Sequence, residues 1–75
     1  MNTQAETNEE ILHLLQAIRR DSKIIDYECD ISIAMRMINN SSMQRIMKTN
    51  REIILNLHRL RIILQDEGVW KDDSQ

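Results

Sequence analysis

Apolar side chains recur at alternating steps of three and four along two long segments of the chain. This spacing is typical of a helix that presents one face to a neighbouring helix, and such a line of residues is a heptad seam. The seam of the C-terminal segment comprises Met43, Ile46, Asn50, Ile53, Leu57, Leu60 and Leu64. The matching seam of the N-terminal segment comprises Ile24, Tyr27, Ile31, Ala34 and Ile38. The pattern predicts an all-α fold, an antiparallel hairpin of two long helices.

A capping box marks the start of the first helix. In the run TNEE at residues 7–10, the Thr7 hydroxyl is placed to accept from a backbone N–H three residues on, while Glu10 reaches back. The motif predicts a helix over residues 8–38 after a flexible segment over residues 1–7.

A break near residues 20–22 is an alternative, because Asp21 or Ser22 is able to cap a new helix and would give three helices in place of two. Neither glycine nor proline enforces this break, since proline is absent and Gly68 is the only glycine.

The polar run NNSS at residues 39–42 favours a turn, because these side chains compete for backbone hydrogen bonds. A second helix is predicted over residues 42–67, ending where Gly68 adopts the left-handed conformation in a Schellman-type motif that brings Val69 back to Leu64. Residues 68–75 are predicted to form a mobile, acidic tail.

Asn50 interrupts the C-terminal seam with a polar amide. With the turn at residues 39–42, the predicted register places Ile31 opposite Asn50 and Tyr27 opposite Ile54. A buried Asn at such a position either sets the register and oligomeric state against another chain, or lies at the seam margin and bonds water or backbone. Its place opposite Ile31 favours a role in the register of the hairpin itself.

The chain carries more apolar side chains than one hairpin covers. Leaving six or seven Leu or Ile side chains exposed would forfeit on the order of 10 kcal/mol, which rivals the whole stability of a typical domain. We therefore expect oligomerisation or partner chains to complete a helical bundle or coiled coil. The residues predicted to bind these partners are Ile11, Leu14, Leu15, Ile18, Ile25, Leu55, Ile62 and Ile63. Trp70 in the tail is a further anchor, for its own bundle or for a partner.

Composition narrows the chemistry. The single Cys29 excludes an internal disulfide, and His13 and His58 lie too far apart in the predicted hairpin to share a metal ion. We expect no cofactor and no enzymatic activity, because the chain has no phosphate-binding glycine loop and the predicted register brings neither histidine close to Cys29. The acidic start of the chain and the lack of a long apolar run predict an intracellular protein, cytoplasmic or nuclear, with no membrane segment.

A net charge of −2 gives no broad field that would attract a polyanion. The exceptions are two arginine pairs, Arg19 with Arg20 and Arg59 with Arg61, which the predicted register brings together. They are expected to form a solvated rim of ion pairs. In the alternative they bind nucleic acid in a small dimeric regulator. The leading hypothesis is a non-enzymatic interaction module, a small obligate subunit or adaptor.

Overall fold

A computed structural model of the chain describes residues 3–69, which form two helices packed antiparallel. Helix α1 spans Gln4–Met35 and helix α2 spans Asn40–Asp66, with no strand in the described part. The predicted all-α hairpin is confirmed. With dimensions of 49 × 29 × 16 Å, the molecule is far longer than it is thick, so most residues of each helix have only one neighbouring helix beside them.

Helix α1 begins one turn earlier than predicted. Its N-cap is Thr3, whose hydroxyl oxygen accepts from the Glu6 backbone N–H at 3.1 Å and donates to the Glu6 carboxylate at 3.0 Å. Residues 3–6 therefore supply the cap in place of the TNEE run. Thr7, the predicted cap, lies within the helix and is buried, with only 4% of its surface exposed. Residues 4–7 are helical, where the sequence predicted a flexible segment.

The same helix continues through residues 20–22, so the three-helix alternative is wrong. It ends in a Schellman motif, in which the N–H of Met37 donates to the Ser32 carbonyl and the N–H of Arg36 donates to the Ile33 carbonyl, each at 3.2 Å. Arg36 takes the left-handed conformation, with a φ of 50°. The motif was not foreseen because glycine, its usual residue, is missing at this position.

The NNSS run begins a helix and does not form the turn. The Asn39 side chain accepts from the Ser41 N–H at 2.8 Å and so caps α2, which starts at Asn40. The connection therefore lies over residues 36–39, about one helical turn before its predicted place. Asn and Ser are favoured both in turns and at helix N-caps, and here the capping role prevails.

The predicted end of the second helix is confirmed. Gly68 has a φ of 75°, the Val69 N–H donates to the Leu64 carbonyl and the Gly68 N–H donates to the Gln65 carbonyl, both at 3.0 Å. Trp70 and most of the predicted tail lie outside the described residues.

Two ion pairs between the helices show that the predicted register is wrong. Glu28 binds Arg45, and the Glu10 carboxylate lies 3.4 Å from the Arg59 guanidinium. The partners on α2 lie two to three helical turns nearer the loop than the predicted register requires. Asn50 is exposed, and its neighbour Thr49 is the buried residue of α2. The structure thus places Asn50 outside the contact between the helices.

Candidate interaction surfaces

The contact between α1 and α2 is lined by one seam from each helix, which we call the inner seams. Their members are buried or half-buried and recur at steps of three and four. On α1 they are Thr7, Ile11, Leu14, Ile18, Asp21, Ile25, Glu28 and Ser32, and on α2 they are Ser42, Ile46, Thr49, Ile53, Asn56, Leu60 and Ile63. Polar residues occupy the deepest positions, and among residues 3–69 no apolar side chain is fully buried. The hairpin therefore has no hydrophobic core of its own.

Glu28 joins the two helices near the loop. Hydrogen bonds from Ser42 and Arg45 of α2, together with the positive charge of Arg45, lower the pKa of the Glu28 carboxyl, although its burial acts in the opposite direction. The Glu28 side chain is almost fully buried, whereas Arg45 is more than half exposed. This cluster fixes the register at the loop end by pairing groups that are costly to bury alone.

A second polar position lies at the middle of the inner seams. Asp21 is 6% exposed, and its carboxylate lies 3.4 Å from the guanidinium of the neighbouring Arg20. The observed register places Asp21 opposite the buried Thr49. A polar contact in this layer is tolerated because every buried side-chain N or O atom in the described part has a hydrogen-bond partner.

A second seam on each helix points to one side of the hairpin, and we call this surface the lateral face. Because each residue turns the helix by about 100° and the helices are antiparallel, the residues that follow the inner positions point to the same side on both helices. On α1 they are Asn8, Leu12, Leu15, Arg19, Ser22, Asp26, Cys29 and Ile33, and on α2 they are Met43, Met47, Asn50, Ile54, Leu57, Arg61 and Leu64. Most of these side chains are apolar, and three of the fifteen are charged.

The lateral face is open in the isolated hairpin. Leu15 is 46% exposed, Leu57 48% and Ile54 56%. Leu12 and Met47 are likewise exposed. Exposed apolar surface that is continuous along two helices is unusual in a soluble monomer.

The opposite side of the hairpin, which we call the ionic side, carries both ion pairs between the helices. It also bears a shallow groove of about 640 Å³. Basic side chains rim this groove, namely Arg20, Lys23 and Arg45 together with Arg19 of the lateral face, which borders both surfaces. Ile24 and Tyr27 line the groove as well. Its one acid is Glu28, which is bonded to Arg45. The groove is thus an amphipathic surface with net positive charge.

The structure divides the residues predicted to bind partners into two groups. Ile11, Leu14, Ile18, Ile25 and Ile63 lie on the inner seams, where they pack the hairpin itself. The exposed group comprises Leu15 on the lateral face together with Leu55 and Ile62 on the ionic side. The sequence instead predicts that the lateral residues of α2, chief among them Ile54 and Leu57, lie in the hairpin contact.

The predicted meeting of the arginine pairs does not occur. Arg59 is level with Glu10, so the two pairs lie between two and three helical turns apart along the hairpin. Arg20 lies beside Asp21 instead.

Within residues 3–69 no three His, Cys, Asp or Glu side chains come close enough together to hold a metal ion. Neither described helix is both long enough and apolar enough to cross a membrane. The fold defines the class of the protein as an antiparallel α-helical hairpin. Comparison with protein-family models, curated proteins and solved structures gives no match.

Proposed function

We propose that the chain is a protein–protein interaction module, a small subunit whose lateral face is covered by other helices. The main support is the position of the apolar side chains around the helices, and we call the sector that they occupy on a helix its apolar arc. On α2 the apolar positions alternate between the inner seam, with Ile46 and Ile53, and the lateral face, with Ile54 and Leu57. On α1 they alternate likewise between Ile18 and Leu15. The arc of α2 is centred between these two directions, which suits a helix with two neighbours.

The size of the exposed surface supports the same proposal. The chain exposes 6359 Å², whereas a compact monomer of its mass would expose about 4,800 Å². Burial of an exposed Leu or Ile contributes roughly 1.5 to 3 kcal/mol, so covering the lateral face would add as much stability as a small domain has in total. Without a covering partner the hairpin has only the half-buried inner seams and their polar layers to hold it together.

Sedimentation of the purified chain, combined with binding of a dye that reports exposed apolar surface, tests this proposal. We expect either self-association or a weakly cooperative monomer that binds the dye. A compact monomer that unfolds cooperatively and binds no dye would show that the lateral face needs no cover, and the proposal would be wrong.

The basic groove on the ionic side favours a second candidate, a small nucleic-acid-binding regulator. Its four basic side chains and Tyr27 supply phosphate contacts and a stacking surface. If this function is correct, affinity for a short DNA or RNA falls steeply with salt and is lost in the variant Arg20→Ala/Lys23→Ala. The matched control is Lys48→Ala, since Lys48 is exposed outside the groove. Binding that neither salt nor the double variant weakens would exclude the groove as its site.

A further inference from the structure

We propose that the occupant of the lateral face is a second copy of this chain, and that the two hairpins form a four-helix bundle with both loops at the same end. This inference rests on the proposed function and names its partner. In the dimer, α1 of one protomer packs against α2 of the other across the lateral faces, and the two-fold axis runs parallel to the helices. Both helices of each copy then have two antiparallel neighbours.

The angle between the two seams selects a four-helix bundle. The inner and lateral seams differ by one residue, which is about 100° around the helix. In a square arrangement of four helices, each helix has neighbours about 90° apart, whereas in a three-helix bundle they are about 60° apart. Both helices show the same offset in the same sense, so two identical hairpins close the square without any other chain.

In this arrangement, lateral-face residues of the two copies that lie at the same height along the bundle are chemically compatible. The register set by the pairs Glu10–Arg59 and Glu28–Arg45 places Leu57 level with Leu15. Because the axis is parallel to the helices, Leu57 of one copy then packs on Leu15 of the other. Asn50 is level with Ser22 near the middle of the face, so the two amides meet the two hydroxyls in one polar layer. A polar layer of this kind fixes register and oligomeric state.

Two arrangements with two-fold symmetry bring the lateral faces together, one with both loops at the same end and one with the loops at opposite ends. Charge distinguishes between them. With the loops at opposite ends and the two faces fully overlapped, α1 would pack on its own copy, and Arg19 of the lateral face would approach Arg19 of the second copy. Like charges in such positions are destabilising. With the loops at the same end, the two Arg19 side chains lie on diagonally opposed helices. This arrangement avoids the repulsion between the two Arg19 side chains.

The area of the face is sufficient for a dimer. From Met43 to Leu64 the face is about 32 Å long, and two helices side by side are about 20 Å wide, which gives roughly 650 Å² per protomer. Standard stable interfaces bury about 800 Å² per partner, and side chains that interdigitate bury more than a flat outline. The lateral face therefore needs no additional surface to hold a second copy.

The oligomeric state is tested with two leucines of α2 that are about equally exposed. Leu57 lies on the lateral face at 48% exposure and Leu55 on the ionic side at 57%. We expect a dimer of the 8.9 kDa chain in sedimentation equilibrium, at least a hundredfold weaker association for Leu57→Asp, and unchanged association for Leu55→Asp. A monomeric parent chain, or equal effects of both variants, would overturn the proposal. A monomer that binds the dye would leave the proposed function standing, with a foreign protein as the partner.

The orientation is tested by cross-linking through Cys29, which lies on the lateral face and is half-buried in the hairpin. The parent chain is refolded in mixture with Cys29→Ser/Met43→Cys or with Cys29→Ser/Leu12→Cys, and a short bis-maleimide is added. We expect covalent mixed dimers only with the first variant, because residue 43 of the second copy lies at the height of Cys29 when the loops share an end. Cross-links only with the second variant would show that the loops lie at opposite ends.

Discussion

Glu28 of α1 and Arg45 of α2 form an ion pair in which the carboxylate is almost fully buried and the guanidinium remains largely in solvent. A Ser42 hydroxyl completes the site and has the largest effect in lowering the pKa of Glu28. The pair lies close to the loop, where a short connection already limits the distance between the helices. The loop already brings the two helices together, so the main effect of the ion pair is to set the register between them.

The pH dependence of stability follows from this pair. Because the pKa of folded Glu28 lies below its ordinary value of 4.5, the carboxylate stabilises the folded state fully above that value. This stabilisation is lost as the pH falls below 4.5 through the lowered pKa. We expect Glu28→Gln to be less stable than the parent at neutral pH and to lose less stability on acidification. Urea unfolding at pH 7, 4.5 and 3 measures this change.

The control for the acid response is Glu9→Gln, since Glu9 is exposed on α1. Its unfolding free energy should follow the pH dependence of the parent. Equal pH dependence in the parent and in Glu28→Gln would contradict the buried pair.

Arg36 holds a left-handed conformation that glycine adopts without a steric penalty. For a residue with a Cβ this conformation costs about 1 to 2 kcal/mol. Glycine avoids this cost, but the greater conformational freedom of glycine in the unfolded chain offsets part of the gain in stability. We expect Arg36→Gly to raise the free energy of unfolding by about 0.5 to 1 kcal/mol, measured by urea denaturation.

Gly68 provides the reciprocal control, because its φ is 75° and no atom would obstruct an added Cβ. Gly68→Ala should lower stability by about 1 kcal/mol through backbone strain alone. If Arg36→Gly is destabilising, the connection does not contain the left-handed residue.

Thr3 and Thr7 test where α1 begins. Removing a capping hydroxyl costs about 1 kcal/mol, so Thr3→Ala should lower stability by up to that amount and increase amide exchange over residues 5–7. Thr7→Val keeps the shape of a buried side chain and should leave the exchange of these amides unchanged. The reverse result would restore the TNEE cap that the sequence predicted.

The fold class was predictable because periodicity and the scarcity of helix breakers both favour two long helices, and Gly68 gives a clear end. The register was not, because the apolar arc of α2 is wider than one seam. The predicted seam alternates between inner positions such as Ile46 and Ile53 and lateral positions such as Asn50 and Leu57. A broad arc identifies the middle of the apolar surface and leaves open which half of it α1 covers.

Part of the predicted binding surface lies in the hairpin contact for the same reason. The sequence predicts Ile18 and Ile25 to be free for partners, because the predicted register matches the α1 seam through Ile24 and Tyr27 to α2. In the structure Tyr27 is exposed and Ile25 is half-buried. The missing signal was the polar residues Asp21 and Glu28, which share the inner seam with Ile18 and Ile25. Hydropathy alone does not indicate that two acids occupy the most buried positions.

Asp21 provides a test of whether the polar inner seam maintains specificity at the expense of stability. Its carboxylate is 6% exposed in the middle of the hairpin contact, with Arg20 as its ionic neighbour. Replacing a buried ion pair by apolar side chains is often neutral or stabilising by 1 to 4 kcal/mol, and here the partner Arg20 is largely in solvent and is not left as a buried charge. We expect Asp21→Leu to stabilise the chain by about 1 kcal/mol or more in urea unfolding, but to broaden the distribution of oligomers in sedimentation, because an uninterrupted apolar seam permits other registers. Asp30→Leu, on an exposed part of α1, is the control and should change neither property strongly. A single sharp species with unchanged stability for Asp21→Leu would indicate that this position sets neither stability nor register.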